Sequence, residues 1–290
     1  MSATIHCKTL DLDEIIPRPN CIEREDEDVK RLVPLVFHDA CFATDRTDSW
    51  PDDQAEFRNF FAVFFSFYDE LREPSETSPS IVFKEREMIT LPRKNWTAPS
   101  RGHRSAGFRG VQVSLMTTLM QTICYNLDGI QEQLPGVWFT YSPVKMRYFI
   151  GGKRYASTSD GGAVVGPFAN PRPIIPHVSW YRGQSWSEFL ADVMDIMLGK
   201  LASNLTFNSE GQEAFIVGIR GPCIYVIRGR FTASLVSRVH SKGCAENESF
   251  ELQFTRGFNL RLKEDWLQAT RALARLLRYI PGGKAVEHAS

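Results

Sequence analysis

The chain has 290 residues, of which 43% are hydrophobic and 20 are phenylalanine, enough to fill a large buried core. Its 34 basic and 34 acidic residues cancel, so the molecule as a whole exerts no long-range pull on nucleic acid or an anionic membrane, and any polyanion contact must be local. No apolar run approaches the roughly 20 residues of a membrane span, so no helical span is expected in these residues.

The cysteines (Cys7, Cys21, Cys41, Cys124, Cys223 and Cys244) include no CxxC pair. That scatter fits reduced thiols and neither a disulfide framework nor a zinc site. Residues 1–17 lack the apolar region of a secretory signal. The expectation is a soluble intracellular protein, cytoplasmic or nuclear, with no membrane partner.

Residues 1–28 are polar and close on an acidic run, Glu23 to Asp28, which reads as a solvated arm. Asp26 and Asp28 suit the start of a helix over 29–37, which Pro34 keeps short. Behind Asp52 and Asp53, Phe57, Phe60, Phe61, Phe64, Tyr68 and Leu71 recur at steps of three and four, the spacing of a buried helix over 52–72. Residues 1–80 are therefore expected to form a Phe-rich helical subdomain beside a mixed α/β domain over 81–290, a single domain being the alternative. Residues 74–79 form a loop, and 81–89 read equally well as strand or helix.

The segment 91–110 (LPRKNWTAPSRGHRSAGFRG) carries Arg93, Lys94, Arg101, Arg104 and Arg109 with no acidic residue, and Trp96 and Phe108 interleave them. Cations neutralise phosphates while aromatic rings stack on bases. Arg93, Lys94, Trp96, Arg101, Arg104 and Arg109 are therefore the candidate nucleic-acid contacts, on an irregular loop. The other reading is a surface loop paired with the acidic N-terminal run.

From Val111 to Tyr125 the apolar spacing is helical. Val137 to Tyr141 reads as a strand paired with Met146–Ile150 across Ser142-Pro143. The runs 147–150 and 163–165 flank the polar Ser157-Thr158-Ser159-Asp160, with Gly151-Gly152 and Gly161-Gly162 as turns. Ile174 to Tyr181 is extended. Ser185-Trp186-Ser187-Glu188 is a capping box opening a helix that buries Trp186, Phe189, Leu190, Val193, Met197 and Leu201. Residues 214–219 and 223–227 form a hairpin across Gly221-Pro222. Phe231–Val239 reads as more sheet and Phe250–Leu260 as an edge strand. A last helix over 263–280 sets Arg271, Arg275 and Arg278 opposite its apolar face. The fold class is α/β or α+β, a central mixed sheet flanked by helices.

No GxSxG, Walker A loop, HExxH or post-strand GxGxxG is present. Over about residues 108–230 the order is a helix, a strand bearing Ser159-Asp160, a second strand, a helix and a hairpin. This order resembles the PD-(D/E)XK nuclease-like domains of uncharacterised fungal proteins. The resemblance implies carboxylates converging on Mg²⁺, which activates a water that a lysine positions. Asp160 matches the first acid, and is the metal ligand if the domain is active. Where E-x-K belongs the chain reads Val178-Ser179-Trp180-Tyr181-Arg182, so the second carboxylate and the lysine are missing. Arg182 can bind phosphate but cannot serve as a titrating base. His177 is a candidate ligand, and Glu85 and Glu87 supply a migrated carboxylate only if the fold brings them beside Asp160. The expectation is a degenerate domain that binds nucleic acid or phosphate with little or no cleavage and needs no cofactor unless Mg²⁺. The alternatives are a protein-interaction module and an enzyme on small molecules.

Overall fold

The computed structural model describes residues 2–18, 22–32, 63, 84–92, 104–180, 184–203, 212–260 and 262–282. Its strands are β1 (Ser2–Thr9), β2 (Arg86–Thr90), β3 (Trp138–Thr140), β4 (Val144–Ile150), β5 (Lys153–Ser159), β6 (Gly161–Val165), β7 (Arg172–Ser179), β8 (Gln212–Arg220), β9 (Cys223–Phe231), β10 (Ser249–Phe254) and β11 (Phe258–Asn259). The helices are α1 (Leu12–Ile15), α2 (Ile22–Leu32), α3 (Arg104–Asn126), α4 (Ile130–Gln133), α5 (Trp186–Ser203), α6 (Ala233–Lys242) and α7 (Lys263–Gly282). One mixed sheet runs β2-β1-β10-β9-β8-β7-β6-β3, with β11 beside β9, while β4 and β5 form a separate ribbon. The pairs β7·β8 and β1·β10 are parallel. The fold is α+β, a large mixed sheet between helices.

Two apolar cores lie on opposite faces of the sheet. On one face α3 and α7 bury Leu115, Met116, Leu119, Leu273 and Leu277 against Ile175, Val217 and Val226. On the other, α5 buries Phe189, Leu190, Met194 and Met197 against Val178, Ile216 and Ile227, with β4 covering it from outside. Each such side chain contributes about 1.5–3 kcal/mol on leaving water. Because α5 lies between the sheet and the ribbon, it is apolar nearly all round and not striped. The ribbon approaches α5 closely at Gly199, where a Cβ would stand 2.6 Å from Ser157 Oγ and 2.7 Å from Met146 Cβ. The capping box holds as expected: Ser185 N–H donates to Glu188 Oε2 at 2.8 Å, and Glu188 N–H donates to Ser185 Oγ at 3.3 Å.

Several expectations are corrected. Residues 2–9 are no solvated arm: β1 lies between β2 and β10, because Ala3, Ile5 and Cys7 alternate with polar residues and bury one face. These residues thus belong to the sheet and not to an N-terminal helical subdomain. β10 is consequently an interior strand and not an edge. Ile89 belongs to a strand, β2. β3 pairs with β6 and not with β4. The reason is the turn Gly151-Gly152, with φ +57° and +72°, which closes β4 onto β5 as a tight hairpin. Gly161 and Gly162 are not a turn but start β6, where a Cβ on Gly161 would meet the Thr140 carbonyl at 2.5 Å. Residues 233–239 are helical, capped by Thr232 Oγ1 accepting from Leu235 N–H, and the buried Val236 and Val239 sit one turn-step apart. Of the Phe-rich helix expected over 52–72, all but Val63 lies outside the described residues.

The acidic run is solvated only in part: Asp26 and Glu27 are exposed, but two of its carboxylates are not. Glu25 and Asp28 are buried on α2, which packs along α7. Arg275 donates to Asp13 Oδ1 and Glu25 Oε1, both at 2.6 Å, and Arg278 holds Asp28 at 2.5 and 2.6 Å. The arginine face of the last helix is thus an internal ion network, in which each charge leaving water is compensated by a partner.

Candidate functional site

Three strand ends converge where the polypeptide passes from β7 into α5. Asp160 links β5 to β6, its N–H donates to the His177 carbonyl at 2.9 Å, and its side chain is 4% exposed. Asp160 Oδ2 accepts from Ser179 N–H at 2.7 Å, a charge-assisted bond that ties the β5–β6 junction to the end of β7. Ser179 is the position at which the resemblance implies a second acid. Its hydroxyl is buried and has no hydrogen-bond partner among the described residues.

His177 does not join Asp160 through its ring. Ile175, His177 and Ser179 share the α3 face of β7 by strand alternation, and His177 Nε2 lies 3.3 Å from Met120 Sδ on α3. Burial in this apolar setting pushes the imidazole down to about 3, so the ring is neutral. Glu85 and Glu87 are not brought alongside. Glu87 sits on β2 at the far edge, with β1, β10, β9 and β8 between it and β7, and pairs with Lys84 at 3.1 Å. Glu85 is exposed just before β2, its carbonyl accepting from Cys7 N–H at 2.9 Å.

These donors do not fit Mg²⁺. A hard, octahedral ion takes oxygen ligands, usually from one or two carboxylates, waters and substrate phosphates. Here one carboxylate is committed to a backbone N–H and nearly closed to solvent, and the neighbouring histidine faces a thioether. Among the described residues no three His, Cys, Asp or Glu side chains are grouped to hold a metal ion. No catalytic step is therefore derived through a metal.

Of the basic candidates, Arg93, Lys94, Trp96 and Arg101 lie outside the described residues, as does Arg182. Arg104 and Arg109 fall on α3, so the irregular loop expected over 91–110 is helical from 104 onward. One cation at the strand ends was not singled out by sequence. Arg220, the last residue of β8, stacks its guanidinium 3.8 Å over the ring of Trp180. Trp180 is anchored by its N–H to the Ile219 carbonyl and by its indole N–H to the Gln184 carbonyl, both at 2.9 Å. Trp186, Phe189, Tyr225 and Phe254 complete an aromatic cluster beneath it, around a cavity of about 10 Å³. That volume holds about one water and no metabolite. Arg220 makes no ion pair among the described residues. Its signal in the sequence was weak, a single arginine beside a turn.

A second missed group is Lys200 on α5, whose ammonium donates to the Ile174 carbonyl. Ile174 is the extra residue of a bulge between β6 and β7, so its carbonyl falls outside the ladder. Burial pushes this lysine down to about 8. It lies near the start of β7, whereas Asp160 bonds to its end.

Among the described residues no helix is long and apolar enough to cross a membrane. Compared with known proteins, the chain matches no family model and no curated sequence.

Proposed function

We propose that the chain is a nuclease-like α+β protein that binds nucleic acid or phosphate inside the cell and cleaves it little or not at all. The observation that carries this reading is the bond from Ser179 N–H to Asp160 Oδ2 at 2.7 Å. It makes the one acid that matches the motif a structural pin between β5–β6 and β7. Along the chain α3, β5 with Asp160 at its end, β7, α5 and the β8–β9 hairpin follow in the order of the resemblance, with α4, β3, β4 and β6 in addition, and β7 and β8 are parallel across α5. Arg220 on Trp180 places a cation without a carboxylate partner among the described residues at the ends of those two strands, where open α/β sheets hold ligands. The cations of 93–109 add a sequence-level source of affinity.

Fluorescence anisotropy of the purified chain with labelled single-stranded and duplex oligonucleotides at low salt tests the reading. Binding that weakens steeply with salt is expected. No shift at low salt counts against it. A second reading, a protein-interaction module on the same fold, has one observation of its own: Phe168 is 82% exposed and packs tilted against Trp138 of the edge strand β3, ring centroids 4.3 Å apart. Loss of a protein partner on Phe168→Ser, without any nucleic-acid binding, would favour it.

A further inference from the structure

The β4–β5 ribbon has an outer face that the site described above does not use. Alternation buries Val144, Met146, Tyr148 and Ile150, the last three in the core shared with α5, and turns Lys145, Arg147 and Phe149 outward. Register sets Thr158 opposite Lys145, Ala156 opposite Arg147, and Arg154 opposite Phe149. Lys153, beside the turn, is exposed as well, but it lies opposite Ile150 and so belongs to the inner face and not to this one. The sequence has no acidic residue between Glu132 and Asp160. None of Lys145, Arg147 and Arg154 makes an ion pair among the described residues. In a chain of zero formal charge, this is a local positive field with no paired counter-charge among the described residues.

The face is also rigidly presented. Gly151 N–H and Gly152 N–H donate to the Val239 and His240 carbonyls at 3.0 and 2.8 Å, so the hairpin turn caps the C-terminal end of α6. On the other side Gly199 lets the ribbon settle onto α5. Phe149 is 44% exposed, and both its neighbours on the outer face, Arg147 along the strand and Arg154 across it, are arginines. A ring with water on one face and cations on two sides is poorly suited to a dry protein interface, where charged residues are depleted at the core. It suits a polyanion whose bases are free to stack. A duplex keeps those base faces hidden, which favours a single strand.

We propose that the outer face of the β4–β5 hairpin holds a single-stranded nucleic acid, its phosphates on Lys145, Arg147 and Arg154 and one base on Phe149. The assignment rests on the nucleic-acid reading above and locates a contact outside the basic segment 93–109. It is tested by anisotropy of the full chain with a fluorescein-labelled oligothymidine of about 16 nucleotides, titrated across about 50–200 mM salt. Combining Lys145→Ser, Arg147→Ser and Arg154→Ser should flatten the log–log salt slope by about 2.1, at about 0.7 for each phosphate that is no longer neutralised. Phe149→Ala alone should weaken binding about fivefold or more and leave the slope unchanged. Each variant changes exposed outer-face side chains, and a thermal melt matching the parent shows that the fold is intact.

If the parent binds and the triple variant keeps its affinity and slope, the hairpin assignment fails while the nucleic-acid reading stands. If the parent does not bind at low salt, both fail. Tighter binding to duplex than to the single strand, with Phe149→Ala inert, also overturns the assignment. So does displacement of the oligonucleotide by polyglutamate as readily as by unlabelled strand, which would mark a face for acidic proteins.

Discussion

Lowering the pH should destabilise the protein through His177, by an amount that can be worked out. The ring is 1% exposed, packs on Met120 Sδ at 3.3 Å and has no partner for Nδ1 among the described residues. Burial holds it at about 3, against 6.5 for a free histidine. The unfolded chain therefore binds a proton that the folded chain refuses across that window, so stability rises with pH there and falls as pH drops below about 6.5. Each full unit within the window is worth about 1.4 kcal/mol. From about pH 7 to about pH 5 the loss attributable to this residue is about 2 kcal/mol, since the first half-unit lies above the unfolded value. Urea denaturation of the parent and of His177→Leu at matched pH isolates the effect, because the other titrating groups are common to both. The difference between the two proteins should shift by about 2 kcal/mol in favour of the variant over that range. Parallel stability curves would refute the reasoning, and would mean that water or a polar neighbour solvates the ring.

Three further outcomes follow from side-chain contacts. Asp160→Ala removes the acceptor of Ser179 N–H and should cost about 1–3 kcal/mol in urea denaturation, with Asp160→Asn recovering most of it, since its amide oxygen can still accept; a neutral alanine variant would show that the pin is unimportant. Arg275→Leu leaves Glu25 buried with only the longer Arg271 contact at 3.7 Å, and should cost about 3–5 kcal/mol by the same assay. Gly199→Ala drives a Cβ to within 2.7 Å of Met146 Cβ, so an overpacking cost of about 1–3 kcal/mol should exceed the gain of about 1 kcal/mol in helix propensity; a stabilised variant would contradict the close packing of ribbon on helix.

Local rules made much of the scaffold readable. The capping box at Ser185 and Glu188, the hairpin across Gly221-Pro222 and the apolar period of α7 each depend on neighbours within one or two turns. What escaped depends on pairing at a distance. β1 is too weakly apolar to announce itself, and it is a strand because β10, more than two hundred residues later, lies beside it in parallel. β3 and β4 looked like partners because they are adjacent, but the Gly151-Gly152 turn gives β4 a closer partner in β5. α6 was mistaken for sheet although Thr232 is a sound cap and Val236 and Val239 follow a helical step. The acidic run looked solvated because its partners, Arg271, Arg275 and Arg278, lie at the other end of the chain. At the candidate site, the missing second acid was visible as Ser179. The role of Asp160 was not, because an acceptor for a backbone N–H and a metal ligand are the same residue in a sequence.

The most direct test of the central claim is a cleavage assay on labelled single-stranded and duplex DNA and RNA with Mg²⁺ or Mn²⁺, run on the parent and on Asp160→Asn. With Asp160 committed to Ser179 N–H and no second carboxylate at Ser179, the expected result is no metal-dependent cleavage above background by either protein, with binding retained in both. Robust cleavage by the parent that disappears in a folded Asp160→Asn would contradict the account, and would show that Asp160 leaves the β7 backbone to hold an ion.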